Sequence, residues 1–467
     1  MCAKNATKCS ERSCPSIRDP RAPRAVWLIS KYSPTRFARA SIPVRVQSRY
    51  CRTAPRFISS NSKKTVTMIS SAGLRLPQSA LRFLFRHYSG ALNVDKLHTF
   101  HHKDLSIVRV KPEERRPQPK ADEPLGFGSF FADHMLEMDW DIEKGWTSPE
   151  IHPYENLSLD PSCKVFHYAI EIFEGMKAYR GVDNRIRLFR PELNMERMRR
   201  GAIRSALPDF DGTELLRCIK ELVRLDQDWI PHAKGTSLYI RPTMIGTEKS
   251  LSVRHSNSAK LFVITGPVGA YFNTFHPISL LADAQFVRAT EGGVGAYKMG
   301  CNYAPTVKVS EEAEKECCEQ VLWLNGPDHR VSEAGAMNVF MHWKNEKGEE
   351  ELITPSLHSG VILPGVTRQS ILDLAHEMGN LKVTEGDFNM SQVLRASKEK
   401  RIYEFFGAGT AVVISPVNKI VYRVDGRQEV IELPVLNEEK TLTRRLFKKI
   451  DDIQHGRESR PEWTEEI

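Results

Sequence analysis

Charge is segregated along this chain, and that segregation decides how much of it can build a fold. Residues 1–94 hold 18 Lys and Arg but only two acids, Glu11 and Asp19. The whole chain has 67 basic and 58 acidic residues, so residues 95–467 carry 49 against 56. An Arg- and Ser-rich, acid-poor start reads as a mitochondrial transit peptide, addressed to the matrix. Its sharpest part is Met68–Tyr88, with Arg75, Arg82 and Arg86 among Leu81, Phe83, Leu84 and Phe85. Arg86-His87-Tyr88-Ser89 resembles an arginine-guided processing site, which places cleavage near Tyr88. Met68 is itself a candidate start. The fold is therefore expected from the residues that follow.

Those residues exclude several function classes. The chain is 40% hydrophobic and 27% charged, ordinary for a globular protein. No run approaches the ~20 apolar residues of a spanning helix, so no membrane span is expected. The body is mildly acidic, whereas nucleic-acid binding wants a basic folded domain, so no nucleic-acid partner is expected either. Of nine cysteines, Cys163, Cys218, Cys301, Cys317 and Cys318 lie in the body. They form no C-x-x-C pair and no zinc spacing, so free thiols and no metal site are expected.

Patterns of helix and strand alternate irregularly along the body, which points to an α+β or mixed α/β fold. Pro191 suits the first turn of a helix over LNMERMRRGAIRSA. Asp211 with Glu214 resembles a capping box, followed by Leu215, Leu216, Ile219, Leu222 and Val223 at helical spacing. TSLYIRP reads as a strand ending at Pro242, with Ser237, Tyr239 and Arg241 on one face. AKLFVITG is a second strand. Gly and Pro then interrupt the pattern, so a small domain over 95–266, a connecting loop over 267–278 and a larger domain over 279–467 are expected. In the larger part, EQVLWLNG, MNVFMHW, ELITP, RIYEFF and TAVVIS read as strands. A helix opens at LPGVTRQS and ends at Gly379, and LTRRLFKKIDDIQ is a terminal amphipathic helix.

Four short segments carry chemistry. In Gly292-Gly293-Val294-Gly295-Ala296-Tyr297-Lys298 the glycines allow close approach to a ligand, and a desolvated lysine beyond them can form a Schiff base. The spacing is not that of a Walker loop; alone, it reads first as a flexible loop with a solvated lysine. In Val361-Ile362-Leu363-Pro364-Gly365-Val366-Thr367 an apolar run meets a turn and a helix start, whose free N–H groups make an anion site. Gly407-Ala408-Gly409-Thr410-Ala411 suggests close backbone approach, with Thr410 able to donate to a phosphate. Glu333, in VSEAGAMN, is a carboxylate for a cationic ring nitrogen. Each has a plainer reading as a turn, a bulge or a solvated residue. Together they are the parts a protein must provide for pyridoxal phosphate.

The stretches FHYAIEIFEGMKAYRG, RLFRPELNMERM, GTSLYIRP, GGVGAYKMGCNYAP, VSEAGAMNVFMHW, GVILPGVTRQSILDLA and EFFGAGTAVVISPV resemble the branched-chain amino acid aminotransferases, fold-type IV enzymes of pyridoxal 5'-phosphate. The resemblance runs in order over roughly residues 100–460. It implies a two-domain fold with the cofactor at the domain interface. It further implies that Lys298 carries the cofactor as a Schiff base, Tyr303 meets its phenolate oxygen and Glu333 its pyridine nitrogen. Arg197, the amides of Val366 and Thr367, and Thr410 would hold the phosphate. Phe131, Tyr168, Tyr239, Arg241, Tyr271 and Ala411 would shape the substrate pocket, and Tyr168 and Val253 would reach the site of a second subunit, implying a homodimer. The implied reaction moves the amino group of L-leucine, L-isoleucine or L-valine to 2-oxoglutarate, giving L-glutamate.

Two positions depart from that pattern. Some relatives carry C-x-x-C after G-T-A, where Val412 and Ser415 stand here. Many have Thr where Ala336 stands. The alternatives within the fold type are a D-amino acid aminotransferase or an aminodeoxychorismate lyase, which lack the combined YIRP and aromatic-pocket pattern. A redox chaperone or RNA-associated factor is opposed by the missing C-x-x-C and the acidic body.

Overall fold

The computed structural model describes residues 98–120, 123–269, 276–435 and 439–467, all within the unit Arg82–Ile467. The proposed leader, its cleavage site and Tyr271 lie outside the described residues.

Two sheets organise the described chain. The first has ten strands, in the order Ser106–Ile107, Glu150–Pro153, His134–Asp141, Ser258–Val268, Ser237–Gly246, Met176–Arg180, Ile186–Phe189 and Thr464–Glu466, with Gly145–Trp146 and Glu171–Phe173 pairing beside this path. Every pairing in it except the first is antiparallel. One face is covered by the helices Pro191–Arg204 and Gly212–Leu225, whose stripes meet Leu238, Ile240 and Val263 in one core. Pro191 sits in the first turn of its helix, and the Asp211 carboxylate accepts from the N–H groups of Thr213 and Glu214. Only half of the expected capping box forms, because the Glu214 carboxylate accepts from the His102 N–H instead.

The strand through Pro242 is longer than its sequence suggests. It runs from Ser237 to Gly246, not to the proline. The Pro242 carbonyl accepts from the Glu174 N–H, so its missing N–H falls toward the place where the neighbouring chain turns between Phe173 and Met176. No ladder bond to Ser258–Val268 is lost there.

The second sheet has nine strands, in the order Arg330–Ala334, Gln320–Asn325, Ile278–Asp283, Val413–Val424, Ile402–Gly409, Met337–Lys344, Glu350–Thr354 and Lys382–Glu385, with Arg427–Glu432 beside Val413–Val424. Arg330–Ala334 also pairs with Met337–Lys344, which closes the first six into a barrel. Its interior holds Leu280, Leu322, Val339, Met341 and Phe405. The helix Val366–Met378 ends at Gly379 in the left-handed conformation (φ 67°), as its glycine requires. It packs with the helix Leu442–Gln454 in a cluster that also takes Tyr179, Phe189 and Trp463. These three aromatics come from the first sheet and the segment beside it. The strand Thr464–Glu466 was not legible in the sequence; it returns to the first sheet, antiparallel to Ile186–Phe189.

Candidate active site

The glycine-rich segment before Lys298 is tied down. The buried Asn302 side chain donates to the carbonyls of Val294 and Tyr297 at 2.9 and 2.8 Å. A Cβ at Gly295 would lie 2.2 Å from the Val361 carbonyl oxygen, so only glycine fits this crossing. Beyond it, the Phe173 N–H donates to the Lys298 carbonyl at 3.0 Å, and Ile172 bridges to Met299. Lys298 is thus stitched to the edge of the first sheet.

Lys298 is half-buried. Its Nζ is 3.4 Å from the Tyr303 hydroxyl and 4.7 Å from the centre of the Phe173 ring. Burial and then the Arg197 charge lower its pKa to about 8. Burial also pushes the Tyr303 phenol up. Phe173 lies 5.1 Å from the Tyr303 ring and 4.8 Å from the Arg241 guanidinium.

Glu333 is buried within the strand Arg330–Ala334, not on a turn; the turn is Gly335–Ala336. Its Oε1 accepts from the Asn338 amide at 3.1 Å and the Leu363 N–H at 3.2 Å. Its Oε2 is 2.7 Å from Arg288 Nη1 but receives no aligned hydrogen bond. Burial raises the carboxyl, opposed by Arg288. An acceptor that is buried, charged and short of a donor suits a protonated ring nitrogen.

Arg197 projects from the helix Pro191–Arg204 and is buried. Its Nε and Nη2 donate to the fully buried Glu174 at 2.6 and 2.7 Å, and its Nη1 to the Pro364 carbonyl at 3.0 Å. Three of its five N–H groups are so used, and two remain for an anion. Burial works against the Glu174 charge, yet Arg197 holds that carboxyl below its usual range. Pro364 introduces the helix Val366–Met378, whose first residues have no side-chain cap. A Cβ at Gly365 would lie 2.1 Å from Asn338 Oδ1, so the glycine lets this helix start approach Glu333's neighbour. Thr367 is buried there.

Gly407 and Gly409 lie inside the strand Ile402–Gly409, so the reversal falls on Thr410–Val412. Val413 follows with φ 61°, a strained conformation for a β-branched residue. The Ala411 carbonyl accepts from Lys177 Nζ at 2.9 Å, which brings this turn to the first sheet beside Tyr239, the register partner of Lys177. The Arg241 guanidinium donates to the Tyr239 hydroxyl at 3.1 Å. Gly175 makes room for that hydroxyl, which a Cβ would meet at 2.0 Å. Phe131 stacks on Tyr154 at 5.4 Å, which carries Arg116 at 4.0 Å on its ring.

Lys298, Tyr303, Glu333, Arg197, Tyr239 and Arg241 thus come together, with Pro364 at the start of the helix Val366–Met378 bonded to Arg197 and Ala411 bonded to Lys177. Tyr168 and Val253 stand apart. The Tyr168 hydroxyl donates to the Leu251 carbonyl, and Val253 is 80% exposed on the same loop. Four residues escaped the sequence reading: Phe173, Glu174, Lys177 and Arg288. The first three sit in IFEGMKAY, where two charges interrupt an apolar strand pattern. That interruption was the signal to follow. Nothing in the sequence around Arg288 marks it.

The arrangement fits a phosphorylated pyridine aldehyde. It offers an amine, an under-donated buried carboxylate, a guanidinium with spare donors and an uncapped helix start. Among the described residues no His, Cys, Asp and Glu cluster could hold a metal, and no helix is long and apolar enough to cross a membrane.

Comparison with known proteins agrees. The amino-transferase class IV family matches residues 171–420. A cytosolic branched-chain-amino-acid aminotransferase of Caenorhabditis elegans is 52% identical over 80% of this chain and 91% of its own. The mitochondrial form of Bos taurus is 50% identical over 78% and 91%. A solved branched-chain amino acid aminotransferase from Thermoproteus uzoniensis, with norvaline, is 22% identical with a TM-score of 0.56 over 70% of this chain and 98% of its own. That of Thermobaculum terrenum, in PLP form, is 21% identical with a TM-score of 0.57 over 72% and 98%. At these identities the two structures speak for the fold.

Proposed function

This chain belongs to the class IV aminotransferases and, among them, to the branched-chain-amino-acid aminotransferases, and from that premise we propose the residue roles that follow. The reaction moves the amino group of leucine, isoleucine or valine to 2-oxoglutarate, with pyridoxal 5'-phosphate as cofactor. The bound cofactor supplies an electrophilic carbon and a sink for the electrons left at the substrate Cα.

The side chains supply the rest. Lys298 would hold the cofactor covalently, and its amine would move the proton at the substrate Cα. Its pKa of about 8 leaves part of the amine neutral near neutral pH, as a base must be. Tyr303 donates to the cofactor's ring oxygen beside that amine. Glu333 would accept from the protonated ring nitrogen, and Arg288 opposes the upward push that burial gives its carboxyl. Arg197, the N–H groups of Val366 and Thr367, and the Thr410 hydroxyl take the phosphate. Phe131, Tyr239 and Ala411 line the substrate side, with Phe173 added to them. Such a lining separates branched chains by only ~1–3 kcal/mol per methylene, so all three amino acids should serve. Arg241 meets the second carboxylate of glutamate.

The observation that carries this reading is the convergence of an amine, a phenol, a buried carboxylate and a guanidinium beside an uncapped helix start. Amino transfer from L-leucine and from D-alanine tests it. L-leucine should be strongly preferred; preference for D-alanine would transfer the chain to a D-amino acid aminotransferase.

We read residues 95–266 and 279–467 as the two domains, joined by 267–278, with the last strand crossing back to the first sheet. We also infer a homodimer. Phe166, Leu251 and Val253 are 59%, 63% and 80% exposed around Tyr168, an apolar surface left uncovered by the described residues. Sedimentation equilibrium should give twice the monomer mass, and a strictly monomeric active enzyme would rule the dimer out. The leader supports a mitochondrial address, although named relatives include both mitochondrial and cytosolic forms. Fractionated cells should yield a chain in mitochondria that begins near Tyr88; an intact leader on a cytosolic protein would contradict this.

A further inference from the structure

Lys164 has no part in the roles above, yet it is almost completely buried, at 1% exposure. It opens the short helix Lys164–Tyr168. Its amine reaches the carbonyls of His255 and Arg254 at 2.7 and 3.3 Å and the Glu248 carboxylate at 2.8 Å. Three acceptors, one of them charged, match the three N–H groups of an ammonium, so this cation is satisfied away from water. All three acceptors lie on residues 247–257, which join the strands Ser237–Gly246 and Ser258–Val268.

This loop is longer than the ~2–5 residues of an ordinary hairpin connection, and its tip carries the exposed Leu251 and Val253. Apolar burial does not hold such a tip in place; polar bonds to the helix segment do. The Lys164 N–H donates to the Glu248 carbonyl and the Ser250 N–H to the Ser162 carbonyl. The Cys163 thiol donates to the Thr247 carbonyl, and the Tyr168 hydroxyl to the Leu251 carbonyl. The Lys164 amine and the Asn257 N–H together hold the Glu248 carboxyl below its usual range. Of these helix side chains, Lys164 is the one that grips both limbs of the loop, at residue 248 and at residues 254–255. A surface ordered in this way before association spares the complex the cost of ordering it.

Resting on the homodimer reading, we propose that Lys164 is a positioning residue that acts in trans: it fixes the loop so that Tyr168, Leu251 and Val253 complete the substrate pocket of the partner subunit. Its own pocket does not need it. None of the bonds that hold the Lys298 loop, Glu333 and Arg197 involves residues 247–257.

K164M keeps most of the stem and removes the charge. The cofactor-loaded K164M homodimer should show a leucine KM raised about 10-fold, the cost of re-ordering one or two interface side chains on binding, with kcat close to the parent's. Two mixed dimers, each isolated through a different tag on either chain, then locate the effect. In the first, K164M is paired with K298A. The working amine belongs to the K164M chain but faces the intact loop of K298A, so KM should return to the parent value. In the second, a chain carrying both substitutions is paired with the parent chain. The working site now faces the loosened loop, so KM should be raised. The reverse pattern, which a role confined to its own chain would give, overturns the proposal, as does an unchanged KM in the K164M homodimer. E248Q weakens the clamp at its half-buried end and goes through the same pairings should K164M fail to fold. A strictly monomeric parent enzyme would instead sink the homodimer reading, and this proposal with it.

Discussion

Replacing Lys298 with alanine is expected to reduce leucine transamination by about 10⁴-fold, the upper range for removing a positioned acid–base group. No other lysine has its amine within hydrogen-bond reach of the Tyr303 hydroxyl among the described residues. Lys177, another lysine with a buried side chain, lies in the strand Met176–Arg180 and is engaged by the Ala411 carbonyl. It is not expected to substitute. The fold should persist, because the Lys298 side chain takes part in no core cluster and its loop is held by Asn302 and by backbone bonds to Phe173. Circular dichroism should be unchanged. Borohydride reduction followed by peptide mass spectrometry should place the pyridoxyl group on Lys298 in the parent and on no residue of K298A. Turnover by K298A at the parent rate would remove the assigned role.

The second large effect is expected at Glu174, on stability as well as activity. Glu174 is fully buried and satisfies Arg197 through two hydrogen bonds, with the Asn194 amide as a third donor at 2.8 Å. Glu174→Ala strands the Arg197 guanidinium in the interior. Breaking one side of such a pair costs about 3–5 kcal/mol, which urea denaturation would read as a lower midpoint. Arg197 would also lose the bidentate grip that aims its free N–H groups at the phosphate site, so cofactor affinity should fall with stability. E174Q, which retains one acceptor and the side-chain volume, should lose less of both. Equal stability of E174A and the parent would show that Arg197 finds another partner.

These two residues show how unevenly the site was legible. Lys298 was readable because glycines and a following Asn-Tyr pair surround it with an unusual local pattern. Glu333, Thr367 and Thr410 were readable as members of short segments whose chemistry made sense jointly. Glu174 was not, because its role is set by Arg197, 23 residues later and on another element. Arg288 escaped for the same reason: its partner Glu333 lies 45 positions away in sequence and meets it only once the barrel closes. Local periodicity likewise found the helices and most core strands. It stopped Ser237–Gly246 too early at Pro242, since sequence alone does not show which neighbour a missing N–H would have faced. It missed Thr464–Glu466 because the alternation of so short an edge strand is no stronger than that of a loop.

That last strand has a consequence for how the protein is made. The first sheet gathers its other strands from residues 106–268, then waits through the whole barrel for Thr464–Glu466 to arrive beside Ile186–Phe189. Lys220 also finds its carboxylate, Glu465, in this stretch, and Arg185 gains Glu466 beside its neighbour Asp183. One edge of the amino-terminal half must therefore stay open until the barrel has been made, so the order of synthesis and the order of assembly differ for this chain.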